Sequence, residues 1–90
     1  MIFEWDPQKA TINLRRHQVA FTEAATVFND PLSVTVRDPD HSMDENRYLI
    51  IGPSYRHRLL IVSHTEQGDR IRIISARELT PTEREAYEEA

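Results

Sequence analysis

Hydrophobic positions divide the chain into a helical first part and a strand-rich second part. Asp6-Pro7 opens a predicted helix that runs to about His17, since the carboxylate can cap it and proline suits the first helical position. From Phe21 to Phe28, apolar residues recur three or four positions apart, which is the period of a helix with one buried face. We expect Thr22 to cap this second helix, which ends at Asn29-Asp30-Pro31.

After this second helix the period of the pattern shortens to two. Leu32, Val34 and Val36 alternate with polar residues, which is typical of a half-buried strand. Three more strands are predicted, at residues 48–51, 57–65 and 70–76, with a turn at residues 67–69 before the last. Residues 1–5 can add a further short strand.

The end of the chain carries a helix-start signal. Thr80-Pro81-Thr82-Glu83 is a capping box with proline at the first helical position, and a short acidic helix follows. The order of elements predicts one α+β domain over residues 1–90, with two layers and an antiparallel sheet. We expect the helices on one face of the sheet, and Arg70 and Arg72 beside Arg58 or His57 on the bare face.

Composition limits the kinds of site that this domain can hold. Hydrophobic residues make up 39% of the 90 residues, which is enough for one thin core but not for a deep cavity. A substrate is therefore expected to meet a surface or a shallow groove. There is no cysteine, so disulfides and thiolate chemistry are excluded. The N-terminus is not typical of a signal peptide and no apolar run has the length of a membrane span, so a cytoplasmic protein without membrane contact is expected.

Charge is distributed unevenly along the chain. The formal net charge is −4. Residues 47–77, however, hold six arginines against Glu66 and Asp69, a local surplus of +4 between acidic ends. Phosphate responds to the local field, so a nucleic-acid ligand is compatible with the acidic total. The alternative is a solvated sheet face with ordinary ion pairs.

Three polar residues of the first predicted helix share one stripe. Lys9, Asn13 and His17 are spaced by four, so a cation, an amide and an imidazole stand in line. Together they could hold a phosphate and a neighbouring hydroxyl. The alternative is an ordinary exposed polar face.

A second polar cluster lies in or beside the loop before the next strand. It comprises His41, Asp44, Glu45 and Arg47, which could supply an acid, a base and an electrophile. The alternative is a solvated loop. A metal site is not expected, because the four histidines show no helical pairing and no cysteine supports them.

Arginines interrupt the last predicted strand. Arg70 and Arg72 share one face of it, and Arg77 falls where the chain turns toward the last helix. A guanidinium suits phosphate because its planar donors bind as a fork and keep their charge. Tyr87 lies one helical turn beyond Glu83 and could reach the same neighbourhood, or it could simply pack the helix on the sheet.

The order of these motifs is more specific than any one of them. Along the chain stand Phe3-Glu4-Trp5-Asp6, Lys9-Ala10, Asn13-Leu14-Arg15-Arg16-His17, Val19, Phe21, Glu23-Ala24, Val27-Phe28-x-Asp30-Pro31, His41-Ser42-x-x-Glu45-x-Arg47, Gly52-x-Ser54, Arg72-Ile73-Ile74-Ser75-Ala76-Arg77 and Glu83-Arg84-x-x-Tyr87. In this order they resemble the BrnT family of toxins over nearly the whole chain.

The resemblance implies a RelE-like fold and a metal-independent endoribonuclease that arrests translation and needs no cofactor. It also implies a cognate BrnA-like antitoxin that covers the catalytic surface and carries a DNA-binding domain, so that DNA is met only through the antitoxin. The pair would then repress its own operon.

The expected chemistry is attack of a ribose 2′-hydroxyl on the adjacent phosphorus, with arginines stabilising the charge on the phosphate. Arg72 and Arg77 are the expected phosphate stabilisers, with Arg58 supporting them. The remaining candidates fall into three groups: acid or base candidates, His17, His41 and Glu45; lesser catalytic candidates, Lys9 and Tyr87; and RNA- or antitoxin-binding residues, Asn13, Arg47 and Arg70.

A different class of function fits the same residues. A non-catalytic module could bind the antitoxin and tune its repression of DNA. Its arginines would then meet acidic residues of the partner, and no RNA would be cleaved.

Overall fold

The computed structural model of the protein describes residues 1–41 and 46–89. Their secondary structure follows the predicted order, with a first strand that the sequence left open. The elements are β1 (Ile2–Glu4), α1 (Pro7–His17), α2 (Phe21–Thr26), a 3-10 turn (Val27–Asn29), β2 (Val34–Arg37), a second 3-10 turn (Pro39–His41), β3 (Arg47–Pro53), β4 (Leu59–Gln67), β5 (Arg70–Glu78) and α3 (Pro81–Glu89).

The strands form one five-stranded sheet in the order β1-β5-β4-β3-β2. The pairs β2–β3, β3–β4 and β4–β5 are antiparallel, as predicted. Strand β1 pairs in parallel with β5, with Glu4 opposite Arg72, so the prediction of a purely antiparallel sheet is wrong. The chain crosses from β1 through α1, α2 and three strands before it returns to β5, and this long connection permits the parallel pairing.

One face of the sheet, here called the core face, carries the hydrophobic core. Val19, Phe21, Ala24 and Val27 of the helical layer are buried against it. The buried strand residues beneath them are Ile50, Leu60, Val62, Ile71, Ile73 and Ala76. Helices α1 and α2 both contact β5. These contacts give the two-layer α+β arrangement that the sequence predicts.

The opposite face, here called the cleft face, is not bare. Helix α3 lies beside it, because Ala86 and Tyr87 border an apolar groove floored by Val34, Ile51 and Ile61. The Tyr87 hydroxyl donates a 2.6 Å hydrogen bond to the Leu32 carbonyl. The prediction that all helices pack on one face is therefore wrong for α3.

Local signals set most element boundaries. The Asp6 carboxylate accepts the Gln8 amide at 2.8 Å and caps α1, as predicted. Helix α2, in contrast, begins at Phe21 after an Ala20 cap without a side-chain hydrogen bond, so the prediction of Thr22 as its cap is wrong.

Strand β2, at the edge of the sheet, is more exposed than the sequence predicts. Val34 and Val36 of β2 are 50% and 44% exposed, which differs from the half-buried strand that the alternation predicts. The reason is that β2 is the outer strand of the sheet.

Within the described ranges, no helix combines the length and the apolar character that a membrane crossing requires.

Candidate active site

A cleft of about 330 Å³ lies on the cleft face of the sheet. It combines an imidazole, two carboxylates, two guanidinium groups and two hydroxyls above an apolar floor. Its described lining consists of His17, Asp38, Asp40, Arg47, Leu49, Ile61, Ser63, Ile74, Ser75 and Arg77.

Strand register brings these side chains together. Leu49 of β3 pairs with Ser63 of β4, which pairs with Ser75 of β5. Directly paired residues project to the same face of a sheet, so these three line one row across the cleft. In the same way Ile61 and Arg77 are partners and lie side by side.

An irregularity in β5 puts Arg77 on this face. The pairing of β4 with β5 shifts between Ser63 and His64, which leaves Ile74 as the extra residue of a bulge. Before the bulge, Ile71 and Ile73 face the core; after it, Ala76 does. Arg72 and Arg77 are five positions apart, so strict alternation would place them on opposite faces. The bulge returns both to the cleft face.

The end of α1 supplies the imidazole. Asn13 is buried and its amide group is bound to the backbone of β5, donating to the Ala76 carbonyl at 2.9 Å and accepting from the Ala76 amide at 3.0 Å. Strand β1 pairs with β5 only as far as Arg72, and Asn13 takes over the edge beyond it. His17, one turn further along α1, thereby reaches the cleft.

Arg77 is held by Glu83 at the start of α3. Its Nη1 and Nη2 donate to the two carboxylate oxygens of Glu83 at 2.7 and 3.0 Å, and Nη1 also donates to the Glu78 carbonyl at 3.2 Å. Its hydrogen bonds to Glu83 raise the pKa of the Arg77 guanidinium. The same fork, aided by the Thr80 amide, lowers the pKa of Glu83 to about 2.

Glu83 also closes the capping box that the sequence predicts. The Thr80 amide donates to the Glu83 carboxylate at 2.9 Å, and the Glu83 amide donates to the Thr80 hydroxyl at 3.2 Å. The prediction of a capping box is confirmed. One carboxylate therefore serves the helix start and the arginine of the cleft.

Arg70 and Arg72 lie elsewhere on the cleft face. Both bind Glu4 of β1, at 2.9 and 3.3 Å. Their side chains are 60% and 51% exposed, and they lie outside the described lining of the cleft. The sheet thus separates Arg72 from Arg77, because their partners on β4, Thr65 and Ile61, are four positions apart, which is roughly 13 Å at about 3.3 Å per residue.

Arg58 differs most from its predicted place. It lies next to the start of β4, whereas Arg72 pairs with Thr65 near the other end, so the expected convergence of Arg58 with Arg70 and Arg72 is wrong. Its Nε donates to the Glu23 carboxylate at 2.9 Å, its Nη2 also binds that carboxylate, and Nη2 donates to the Gln18 carbonyl at 3.0 Å. Its side chain is 20% exposed and that of Glu23 is 4% exposed.

The other predicted residues occupy separate places. Lys9 is exposed on α1, whereas Asn13 is buried. The stripe of Lys9, Asn13 and His17 is therefore not the uniformly exposed polar face that was one of the two alternatives. Tyr87 is tied to Leu32 rather than to the cleft. Glu45 lies outside the described residues, as does the side chain of His41.

Several residues at or near the cleft were not candidates from the sequence. Asp38 is buried in the lining and accepts the Asp40 amide at 3.0 Å. Ser63 and Ser75 enter through strand register, which a single sequence does not reveal. A signal for Glu83 was present, since a capping-box glutamate close after an arginine can serve both.

Comparisons with known proteins give one family match and a similar solved structure. A family model described as "Ribonuclease toxin, BrnT, of type II toxin-antitoxin system" matches residues 5–83. The crystal structure of the Brucella abortus ribonuclease toxin BrnT is similar with a TM-score of 0.69 and 17% sequence identity, covering 89% of this chain and 99% of that chain. At that identity the likeness shows a shared fold. No curated protein matches the chain.

Proposed function

Since the chain belongs to the BrnT family of ribonuclease toxins of type II toxin–antitoxin systems, we propose that it cleaves RNA without a metal ion. The proposed site is the cleft that contains His17, Arg47 and Arg77. The observation that carries this proposal is that these three side chains line the same cleft. They come from α1, β3 and β5, which are far apart in sequence, and all three fall within the residues that the family model matches.

The proposed reaction transfers the phosphate ester within the RNA. A base takes the proton of a ribose 2′-hydroxyl, and the 2′ oxygen attacks the adjacent phosphorus. The bond from phosphorus to the 5′ oxygen breaks, and that oxygen takes up a proton from an acid. The products are a 2′,3′-cyclic phosphate and a 5′-hydroxyl. No water is consumed in this step.

The cleft supplies groups suited to both tasks. His17 is the proposed acid or base, because an imidazole nitrogen can accept or donate a proton. His41 and Glu45 remain the proposed candidates for the second role. Arg77 and Arg47 are proposed to stabilise the charge that builds on the phosphate oxygens.

The arginines outside the cleft fit a supporting role. Arg70 and Arg72 continue along the cleft face of β5, and more than half of each side chain is exposed. We propose that they bind phosphates that flank the cleaved bond. Such contacts position an RNA strand without reading its sequence.

The proposed partner is a BrnA-like antitoxin that covers the cleft. Burying Arg77 or Arg72 alone under a partner would be costly, so the partner should present carboxylates to them. The complex should therefore form more slowly at high salt and should not cleave RNA. The resulting loss of free toxin would protect translation in the cell, and DNA would be bound by the antitoxin alone.

Cleavage of RNA in EDTA tests the proposal. We expect the purified chain to produce 2′,3′-cyclic phosphate ends, and Arg77→Ala to lower the cleavage rate about 100-fold or more, as expected when one preorganised charge stabiliser is lost. Arg84→Ala is the matched control, because Arg84 is an exposed arginine of α3 outside the cleft lining.

Two results would contradict the proposal. Activity that disappears on chelation and returns with a divalent metal ion would rule out the proposed chemistry. A wild-type chain that binds its antitoxin but neither cleaves RNA nor inhibits translation would instead support the non-catalytic binding module.

A further inference from the structure

The carboxylate of Glu83 has three hydrogen-bond donors at once. It accepts from Arg77 Nη1 at 2.7 Å, from Arg77 Nη2 at 3.0 Å and from the Thr80 amide at 2.9 Å. Two of these come from Arg77 in the cleft and one from Thr80, the residue just before α3. Glu83 therefore fixes the guanidinium of Arg77 relative to a helix as well as to its own strand.

The fork leaves a defined part of Arg77 available. A guanidinium has five N–H donors, and the bonds to Glu83 and to the Glu78 carbonyl use three of them. The two that remain are Nε–H and the second N–H of Nη2, for which the described residues provide no acceptor. They lie on one edge of the guanidinium plane, which is itself a parallel pair of donors that matches two phosphate oxygens.

We propose that Glu83 is a positioning residue for RNA cleavage, holding Arg77 so that its free edge, formed by Nε–H and Nη2–H, meets the scissile phosphate. This inference rests on the proposed function and adds a residue to it. Glu83 does not touch RNA in this arrangement. It acts through Arg77. Because the orientation of Arg77 is set before the substrate binds, the guanidinium does not have to reorient during the reaction.

The arrangement has a kinetic consequence that a purely structural role would not have. Glu83 offsets the charge of Arg77, which weakens attraction of RNA in the ground state. It also fixes the donors at the place where charge develops in the transition state, and misplacing such a group by about 1 Å can cost a factor of about 100. Removing the charge of Glu83 should therefore lower kcat without raising KM.

Glu83→Gln separates these effects from the stability of α3. Glutamine at this position still completes a capping box, because its side-chain oxygen can accept the Thr80 amide. It cannot accept both donors of the Arg77 fork. We expect kcat to fall about 10-fold or more while KM stays the same or decreases. In an Arg77→Ala background the same change should have no further effect on kcat.

The control for this variant is Glu88→Gln. Glu88 is an exposed carboxylate of the same helix, and it lies outside the lining of the cleft. Its replacement removes the same charge from α3 without touching Arg77, so kcat should keep its wild-type value. A rise in kcat in Glu83→Gln would overturn the proposal, since it would mean that Glu83 competes with phosphate for Arg77. Unchanged kinetics would overturn it as well.

A binding measurement tests the orientation of Arg77 by Glu83 separately from RNA cleavage. The probe is an oligonucleotide with 2′-deoxyribose at every position, which cannot undergo the reaction, followed by NMR of the wild-type protein. We expect the NMR signal of the Arg77 Nε–H to shift on binding, while the chemical shift of the side-chain carboxyl carbon of Glu83 remains unchanged. A shift of that carbon, or none at Arg77, would refute the positioning role. If the wild type shows the expected shifts but does not cleave RNA, the proposed function is refuted, and Glu83 orients Arg77 for phosphate binding alone.

Discussion

The two faces of the sheet each carry an arginine–glutamate fork, but in different surroundings. On the helix side, Arg58 binds Glu23, with side chains that are 20% and 4% exposed. On the cleft face, Arg77 binds Glu83, with side chains that are 39% and 36% exposed. The chemical groups are the same, and the difference lies in access to solvent.

This difference is the basis for proposing a structural role for the first pair and a role in catalysis for the second. The donors of Arg58 are directed at Glu23, at the Gln18 carbonyl and at Glu78, and Ser54 adds a 2.7 Å hydrogen bond to Glu23. These bonds join α1, α2 and the turn before β4. Arg77 has one edge of its guanidinium for which the described residues provide no acceptor. Charge on a strand therefore indicates chemistry only where a donor remains accessible.

The largest expected effect is on the helix side. Arg58→Ala removes the main partner of the buried Glu23 carboxylate and leaves it with Ser54 and with Arg56 at 3.7 Å. Breaking a buried pair in this way costs about 3–5 kcal/mol of the free energy of unfolding. Urea unfolding at pH 7 measures this loss. Arg56→Ala is the control, and because Arg56 is 57% exposed we expect it to cost less than about 1 kcal/mol.

A loss similar to that of the Arg56 control would contradict the comparison. It would mean that solvent can replace the hydrogen bonds of Arg58 to Glu23, so that the buried fork adds no more stability than an exposed ion pair. The rate of RNA cleavage by the folded fraction of Arg58→Ala should remain that of the wild type, because Arg58 lies outside the cleft lining.

The next effect concerns the edge of β5. Asn13→Leu removes the two hydrogen bonds to the Ala76 backbone and the 3.0 Å bond to the Val19 carbonyl. A typical intramolecular hydrogen bond contributes about 1 kcal/mol net to stability, so we expect the loss of the three bonds to cost about 3 kcal/mol in thermal or urea unfolding. Lys9→Ala, on the same stripe of α1 but exposed, should change stability by less than about 0.5 kcal/mol. Equal effects of the two changes would show that Asn13 is not a structural residue.

Local signals predicted most elements correctly. The cap at Asp6, the apolar runs of β3 to β5 and the capping box at Thr80 each depend on residues within a few positions of one another. Such patterns act before the rest of the chain is in place. Of the site, the sequence likewise identified His17, Arg47 and Arg77 by their chemistry.

Distant partners account for what the sequence did not predict. Arg58 meets Glu23 across 35 positions, and Asn13 meets Ala76 across 63. The bulge at Ile74 is a property of pairing with β4, so alternation alone would have turned Arg77 away from Arg72. A weak signal existed for Glu23, which precedes the buried Val27 by four positions and so shares its stripe of the helix.

The smallest expected effect is the dependence of stability on pH at the cleft face. Folding lowers the pKa of Glu83 from 4.5 to about 2, mainly through Arg77. A carboxyl group whose pKa is lowered by folding adds stability above its unfolded value, and this contribution disappears as the pH falls through its folded value. Over a third of each side chain is exposed, so solvent limits the contribution to about 1 kcal/mol or less. Urea unfolding of the wild type and of Glu83→Gln should therefore differ at pH 7 and converge between pH 4.5 and pH 2. The control is Glu88→Gln, which leaves the Arg77–Glu83 fork intact, so its difference from the wild type should not follow this pH dependence. A difference that persists unchanged at pH 2 would mean that the charge of Glu83 is not what distinguishes the cleft-face fork.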